Sequence, residues 1–241
     1  MRYIQKQESP TFFEECKKCL PENAQWEHFE DNKDLGQYKK KFKEHLLTEL
    51  AGLCVYCERR VHLDIEHKDE QGKTLSFTQS NCHIEHIMPK DSYPQLTFEY
   101  KNLTLSCNGD LCDFKQKEDF KPTDVHSCGH KKGKTFQQEH FLNPVELQDI
   151  ADFFVYDLTD CAIKSSGKDH IRAQKTIELL NLDNPRLNNE RSKARIEFMK
   201  NFALDVKNKE LRRIKAYMHK SPAFVSFLRY WLMSSNKGLD I

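Results

Sequence analysis

The sequence predicts an α+β fold, a small mixed core embedded in a mainly helical chain. Three observations carry this. Apolar residues recur at helical spacing towards both ends of the chain, the mark of amphipathic helices. The apolar residues Ile84, Ile87, Leu103 and Leu105 suggest two short strands near the middle. A tight pair, Cys54-x-x-Cys57, with further cysteines at 107, 112 and 128, offers thiolates for a metal brace under long polar loops.

Residues 11–20 and 36–51 read as helices. In the second, Phe42, Leu46, Leu47, Leu50 and Leu53 share a face, lysines occupy the other, and Gly52 lies near the end. Residues 54–65 read as a knuckle followed by a short strand, and 66–81 as a polar loop. Residues 108–135 are polar without a clear period. Asn143-Pro144 predicts a turn and Phe153–Leu158 a strand. Beyond Gly167 the pattern is helical over 169–181, 186–204, 208–219 and 222–234, with Pro185 and Pro222 marking helix starts. This divides the chain into an N-terminal helical segment (1–53), a core (54–165) and a C-terminal helical region (166–241).

At 241 residues the chain is long enough for a substantial core. Its mean hydropathy of -0.78 predicts a very polar surface. No apolar run approaches a membrane span, and MRYIQKQESP lacks the apolar centre of a signal peptide. A cytoplasmic location follows as the expectation. Nine cysteines in that setting are metal ligands and buried thiols rather than disulfides. The net charge of +1 is low for a free-standing nucleic-acid binder. From Arg186 to Lys220, however, 11 Lys/Arg stand against 4 Asp/Glu. That stretch can track phosphates or simply face water.

Four thiolates in tetrahedral array would hold Zn²⁺ as a structural ion. Cys54 and Cys57 supply half of the set, with Val55, Tyr56 and Glu58 fitting a knuckle turn. Cys107 is the third candidate. Four residues separate it from Cys112 and twenty from Cys128, and Cys128 is preferred because it sits in the run CGHKKGK. Cys16 and Cys19 have the same tight spacing but lie in a helical stretch with no partner pair, so they are read as non-ligands. Cys82 and Cys161 read as packing residues.

Between Cys82 and Cys107 lies a second set: Glu85, His86, Pro89 and Asn102. Phosphodiester hydrolysis needs an activated water, a cation for the developing charge, and alignment. A histidine is a suitable base near neutral pH, a carboxylate can hold a divalent cation, and an asparagine can clamp a loop through backbone hydrogen bonds. Adjacent strand residues face opposite ways, so Glu85 and His86 need a local bend to serve one phosphate. His83 reads as structural or merely close.

The order Cys-x-x-Cys, Glu-His-Ile-x-Pro, Asn-Leu-x-x-x-Cys, Cys-Gly-His-Lys-Lys-Gly resembles the HNH endonuclease motif with its ββα-metal fold. The resemblance implies that Glu85 binds Mg²⁺ or Mn²⁺, that His86 is the general base and that Asn102 is the structural asparagine. It places the last catalytic metal ligand at His130, with one glycine more than the commoner Cys-His pair and with Asp113 and Asn108 as alternatives. Hydrolysis would leave a 5′ phosphate, the cation stabilising the departing 3′ oxygen. The opening MRYIQK, CVYCERR, FLNPVELQDIADFFVYDL and TIELLNLDNPRLNNER resemble the PtuB subgroup, the HNH effectors of Septu anti-phage systems and of related retron systems. That resemblance implies a PtuA-type ABC ATPase partner and a nucleic-acid substrate, DNA being favoured. A tRNA-cleaving retron nuclease, restrained by a reverse transcriptase and its RNA–DNA hybrid, is the alternative within the family. A zinc-stabilised adaptor without catalysis is the rival outside it; it explains the cysteines but not Glu85, His86 and Asn102 together.

Overall fold

The computed structural model describes residues 1–30, 35–68, 74–109, 126–133 and 136–235. Helices and small sheets alternate along it. Three N-terminal helices, α1 (Thr11–Lys18), α2 (Trp26–Glu30) and α3 (Gly36–Glu49), precede two antiparallel strand pairs. The first pair is β1 (Ile65–Lys68) with β2 (Thr74–Thr78); the second is β3 (Cys82–His86) with β4 (Leu103–Cys107). A short helix, α4 (Cys128–Lys132), packs on β4. A last pair, β5 (Phe154–Tyr156) and β6 (Ile163–Ser165), leads into α5 (His170–Leu180), α6 (Pro185–Asn208), α7 (Leu211–His219) and α8 (Val225–Ser235).

The helical face predicted on 36–51 is buried. Phe42, Leu46, Leu50 and Leu53 are inaccessible to solvent. Phe13 of α1 stacks on Phe42 with ring centroids 4.2 Å apart, a contact worth about 0.5–1.5 kcal/mol beyond the area it buries. The helix ends at Leu50, where Ala51 and Gly52 take positive φ. The same layer reaches β4 through polar contacts. Glu49 accepts from the Tyr100 hydroxyl at 2.7 Å and pairs with Lys6 at 2.5 Å, and Lys6 also donates to the Leu103 carbonyl at 3.0 Å.

β3 and β4 run in uninterrupted register from Cys82 opposite Cys107 to His86 opposite Leu103. The stretch expected to be loop-like at 66–81 instead contains most of the β1–β2 hairpin. Ile65 and Phe77 are exposed there, so neither face is buried among the described side chains, and the alternation in TLSFT is only five residues long within a polar stretch. Pro185 is the first residue of α6, as expected. Pro222 is not the start of α8, because positive φ at Ser221 and Phe224 delays it to Val225.

One continuous cluster of buried apolar side chains draws on all three parts of the sequence. Polar contacts reinforce it from the knuckle after Cys57. The Glu58 carboxylate accepts from the Ser226 backbone N–H at 2.7 Å and its hydroxyl at 2.5 Å, at the start of α8. Glu58 carries the positive φ of a knuckle turn.

Asn184 caps the longest of these helices. Its side chain is buried, accepts from the Leu187 N–H at 3.0 Å and donates to the Asn181 carbonyl at 2.6 Å. Asn184→Ala is expected to destabilise the protein by about 1–2 kcal/mol, measured as a lowered midpoint in urea with the slope unchanged.

Candidate active site and metal centre

Cys54, Cys57, Cys107 and Cys128 converge, all buried, with their sulfurs within 4.8 Å of one another. Cys57 and Cys107 Sγ are 3.7 Å apart. Four sulfurs about 2.3 Å from a tetrahedral zinc lie roughly 3.8 Å from each other, so this donor set fits a structural zinc ion. Cys112, the other candidate, lies outside the described residues. Cys16, Cys19, Cys82 and Cys161 are free thiols away from this group.

Each ligand sits where the backbone changes direction. Cys54 and Cys57 lie in a turn closed by the Cys54 N–H donating to the Arg59 carbonyl at 2.9 Å. Cys107 ends β4, and its N–H donates to Cys54 Sγ at 3.3 Å. Cys128 opens α4 with φ of 61°. Burial pushes the Cys54 thiol up, but hydrogen bonds from Cys107, Cys128 and Cys57 overcome it and hold it well below its ordinary value. Burial and hydrogen bonds with Cys107, Cys54 and Cys57 drive Cys128 well above its ordinary value. Positive charge stands behind the sulfurs. The buried Arg186 of α6 donates to Ser127 Oγ at 2.7 Å. Burial opposes its charge, yet Glu190 and the Cys107 and Cys57 thiols stabilise it by more.

The second candidate set lies on β3, the partner of β4, and on the loop before β4, facing the knuckle and α4. Glu85 is buried on β3. Its Oε1 accepts from the Tyr56 hydroxyl at 3.0 Å and from Lys132 Nζ at 2.6 Å. Its Oε2 faces His83 Nε2 at 3.3 Å. Burial pushes the Glu85 carboxyl up; Lys132 and His83 outweigh that and leave it below its ordinary value. Lys132 is itself buried and also donates to the carbonyls of His86 at 2.5 Å and Ile87 at 2.6 Å.

His86, on the other face of β3, places Nε2 3.0 Å from the Thr97 carbonyl. A carbonyl only accepts, so Nε2 carries the proton and Nδ1 keeps a lone pair. Trp26 packs edge-on against the ring, centroids 4.6 Å apart. Burial pulls this imidazole below its ordinary value, against the Thr97 hydrogen bond and Glu85, which favours the neutral form at pH 7. Asn102 accepts from the Met88 N–H at 2.8 Å and donates to the carbonyls of Met88 at 3.0 Å and Leu96 at 3.1 Å. It pins the loop that supplies the Thr97 carbonyl.

His130 is exposed on α4, and its ring stacks on His83, centroids 4.5 Å apart. Asn108 lies on the far side of His83, with Oδ1 3.3 Å from its Nδ1. Asp113 falls outside the described residues. The sequence assigns no role to Lys132, Trp26 and Thr97, places Tyr56 only in the knuckle turn, and leaves His83 as structural or merely close. For His83 the signal existed: two residues before Glu85 on a strand is the same face.

No family model matches the chain. Three curated proteins are similar to it. A protein described as a candidate HNH endonuclease of retron Ec83 from Escherichia coli is 28% identical over 222 residues, covering 82% of this chain and 80% of that protein. A counterpart from retron Vc95 of Vibrio cholerae is 29% identical over 167 residues, 66% of each chain. The Septu protein PtuB of Bacillus thuringiensis is 27% identical over 146 residues, 60% of this chain and 42% of that protein. The resemblance to HNH endonucleases of the PtuB and retron type therefore holds.

Cys128→Ser should remove bound zinc and lower the thermal midpoint, read by metal stoichiometry on purified protein and by calorimetry. Gly129→Ala should disturb Glu85. A Cβ there would lie 2.3 Å from Glu85 Oε2 and 2.8 Å from His83 Nε2, an overpacking worth about 1–3 kcal/mol, and Cys128 should retain its zinc.

Proposed function

We infer that this protein is a metal-dependent endonuclease of the HNH type, hydrolysing phosphodiester bonds in nucleic acid, with DNA the favoured substrate. One observation carries the reading: His86 Nε2 is taken by the Thr97 carbonyl, which leaves Nδ1 as the basic nitrogen, one residue from a carboxylate whose Oε2 faces the His83 imidazole. The strand pair β3–β4 with α4 against it matches a ββα arrangement, and the four buried cysteines fit the zinc brace.

His86 would take a proton from the attacking water through Nδ1, the Thr97 carbonyl fixing the ring from the other side. Asn102 would hold the loop so that this carbonyl stays in place. Glu85, through Oε2, and His130 would bind a divalent cation, Mg²⁺ or Mn²⁺. Such a cation supplies charge neutralisation at the phosphate and the departing 3′ oxygen. The Glu85–Lys132–Tyr56 contacts keep the carboxylate ionised and oriented. With water as nucleophile no 2′ hydroxyl is needed, so the chemistry permits DNA or RNA.

The relatives named for Septu and retron systems support a role as a defence effector. A PtuA-type ATPase is the proposed partner, and for a retron system also a reverse transcriptase. A net charge of +1 agrees with a partner that shares the grip on nucleic acid. Among the described residues no helix is long and apolar enough to cross a membrane.

His86→Ala is expected to lower plasmid nicking by about 10²–10⁴-fold, with zinc content and thermal midpoint unchanged. The assay uses the protein with its ATPase partner and Mn²⁺ or Mg²⁺, with a chelator control. Undiminished cutting by the variant would remove His86 from the reaction. No cutting by the unaltered protein on DNA or tRNA would favour a zinc-stabilised adaptor.

A further inference from the structure

We propose that His83 is a direct ligand of the divalent cation at Glu85, so that the site offers a carboxylate with imidazole nitrogen and favours a first-row transition ion over Mg²⁺. The inference rests on the reading of Glu85 as a cation ligand and extends it to a residue to which the HNH resemblance assigns no role.

The argument begins with Asn108. Its Nδ2 faces the Ser80 carbonyl at 3.4 Å, which fixes the amide so that Oδ1 faces His83 Nδ1 at 3.3 Å. An amide oxygen only accepts. His83 therefore keeps a proton on Nδ1, and in the neutral ring Nε2 carries a lone pair. That lone pair points at Glu85 Oε2, 3.3 Å away, and a carboxylate oxygen is also an acceptor. Two acceptors at this separation need a proton or a cation between them. Two ligands each about 2.1 Å from one ion lie about 3.0 Å apart at an octahedral corner and about 3.4 Å apart in a tetrahedron. The pair has the spacing of a cation site.

Its surroundings agree. Glu85 Oε1 is taken by Tyr56 and Lys132, so Oε2 is the oxygen left for an ion. Gly129 lies against both donor atoms, and any Cβ there would fill the space. The ring of His130 stacks on His83 and brings a second imidazole to the same edge of the site. A histidine that ligates a metal through one nitrogen commonly donates the other N–H to a carbonyl or carboxylate, and the Asn108 contact has that form. Mg²⁺ prefers oxygen ligands in octahedral geometry, whereas imidazole suits the later first-row ions.

The test uses full-length protein with the cysteine site loaded with zinc and Mn²⁺ as the probe. Titration is followed by electron paramagnetic resonance and calorimetry, and nitrogen coupling to bound Mn²⁺ by electron spin echo modulation. His83→Ala is expected to weaken Mn²⁺ binding at least tenfold, and His83→Gln to behave alike. The His130→Ala protein should retain a nitrogen coupling that vanishes in His83→Ala/His130→Ala. Excess Mg²⁺ should displace Mn²⁺ more readily from the His83 variants than from the unaltered protein. Zinc content and thermal midpoint report folding of every variant. If Glu85→Gln abolishes Mn²⁺ binding while both His83 variants bind as the unaltered protein does, His83 is only an ion-pair partner and this inference fails alone. If Glu85→Gln also binds normally, the cation site itself is elsewhere and both readings fail.

Discussion

The meeting of four cysteine sulfurs is the constraint on which the rest of the site depends. Cys54 and Cys57 belong to the turn after α3, Cys107 to the end of β4, and Cys128 to the first turn of α4. These are the elements that carry Tyr56, the partner strand of Glu85, and the helix bearing His130 and Lys132. A two-stranded sheet with a five-residue helix is marginal in water on its own, and here it is also packed against α3 in the common core. A metal ion bound by the four sulfurs would cross-link side chains separated by as many as 74 positions, Cys54 to Cys128. Arg186 reaches this cluster through Ser127, which couples the C-terminal helices to it. Arg186 lies in the segment TIELLNLDNPRLNNER, so the distinctive helical part of the sequence packs against the four-cysteine cluster.

Within that frame the two oxygens of Glu85 are treated differently. Oε1 is saturated by a phenol and an ammonium, and Oε2 meets only His83 among the described hydrogen bonds. A buried ion pair such as Glu85–Lys132 adds little net stability, because desolvation consumes much of the Coulomb energy. Its effect is one of placement. Lys132 also grips the carbonyls of His86 and Ile87, so one ammonium fixes a carboxylate, the end of β3 and the loop that follows it.

Much of this was legible in the sequence where a residue acts through its own chemistry at short range. The helical face through Phe42, Leu46 and Leu50 follows from period, the strands around Ile84 and Leu105 from their apolar positions, and Cys54, Cys57 and Cys107 from spacing; Cys128 is distinguished from Cys112 only by the run CGHKKGK around it. The loop contact of Asn102 follows from the hydrogen-bonding chemistry of an amide. The β1–β2 hairpin was not legible, because the alternation in TLSFT is short and its partner IEHK has a single apolar residue. Lys132 was hidden for a different reason. A lysine in a basic run reads as solvated, and only the three-dimensional approach of Glu85 makes its burial tolerable. Trp26 and Thr97 act on His86 from 60 positions upstream and 11 downstream; Thr97 contributes only a backbone carbonyl, which no side-chain pattern encodes.

The strand itself sets the remaining geometric problem. Glu85 and His86 are neighbours, and in an extended backbone their side chains leave opposite faces. On the nuclease reading both must act on one phosphate. The pairing of β3 with β4 ends at His86 opposite Leu103, and the next residues are held by Lys132 and by Asn102 rather than by a partner strand. A substrate at the end of a strand can meet both faces, whereas one lying over its middle meets a single face. The backbone clamps at Ile87 and Met88 therefore do more than close a loop. They end the ladder one residue after the carboxylate and keep that end rigid, which is the condition for a base on one face and a cation on the other to address the same atom pair.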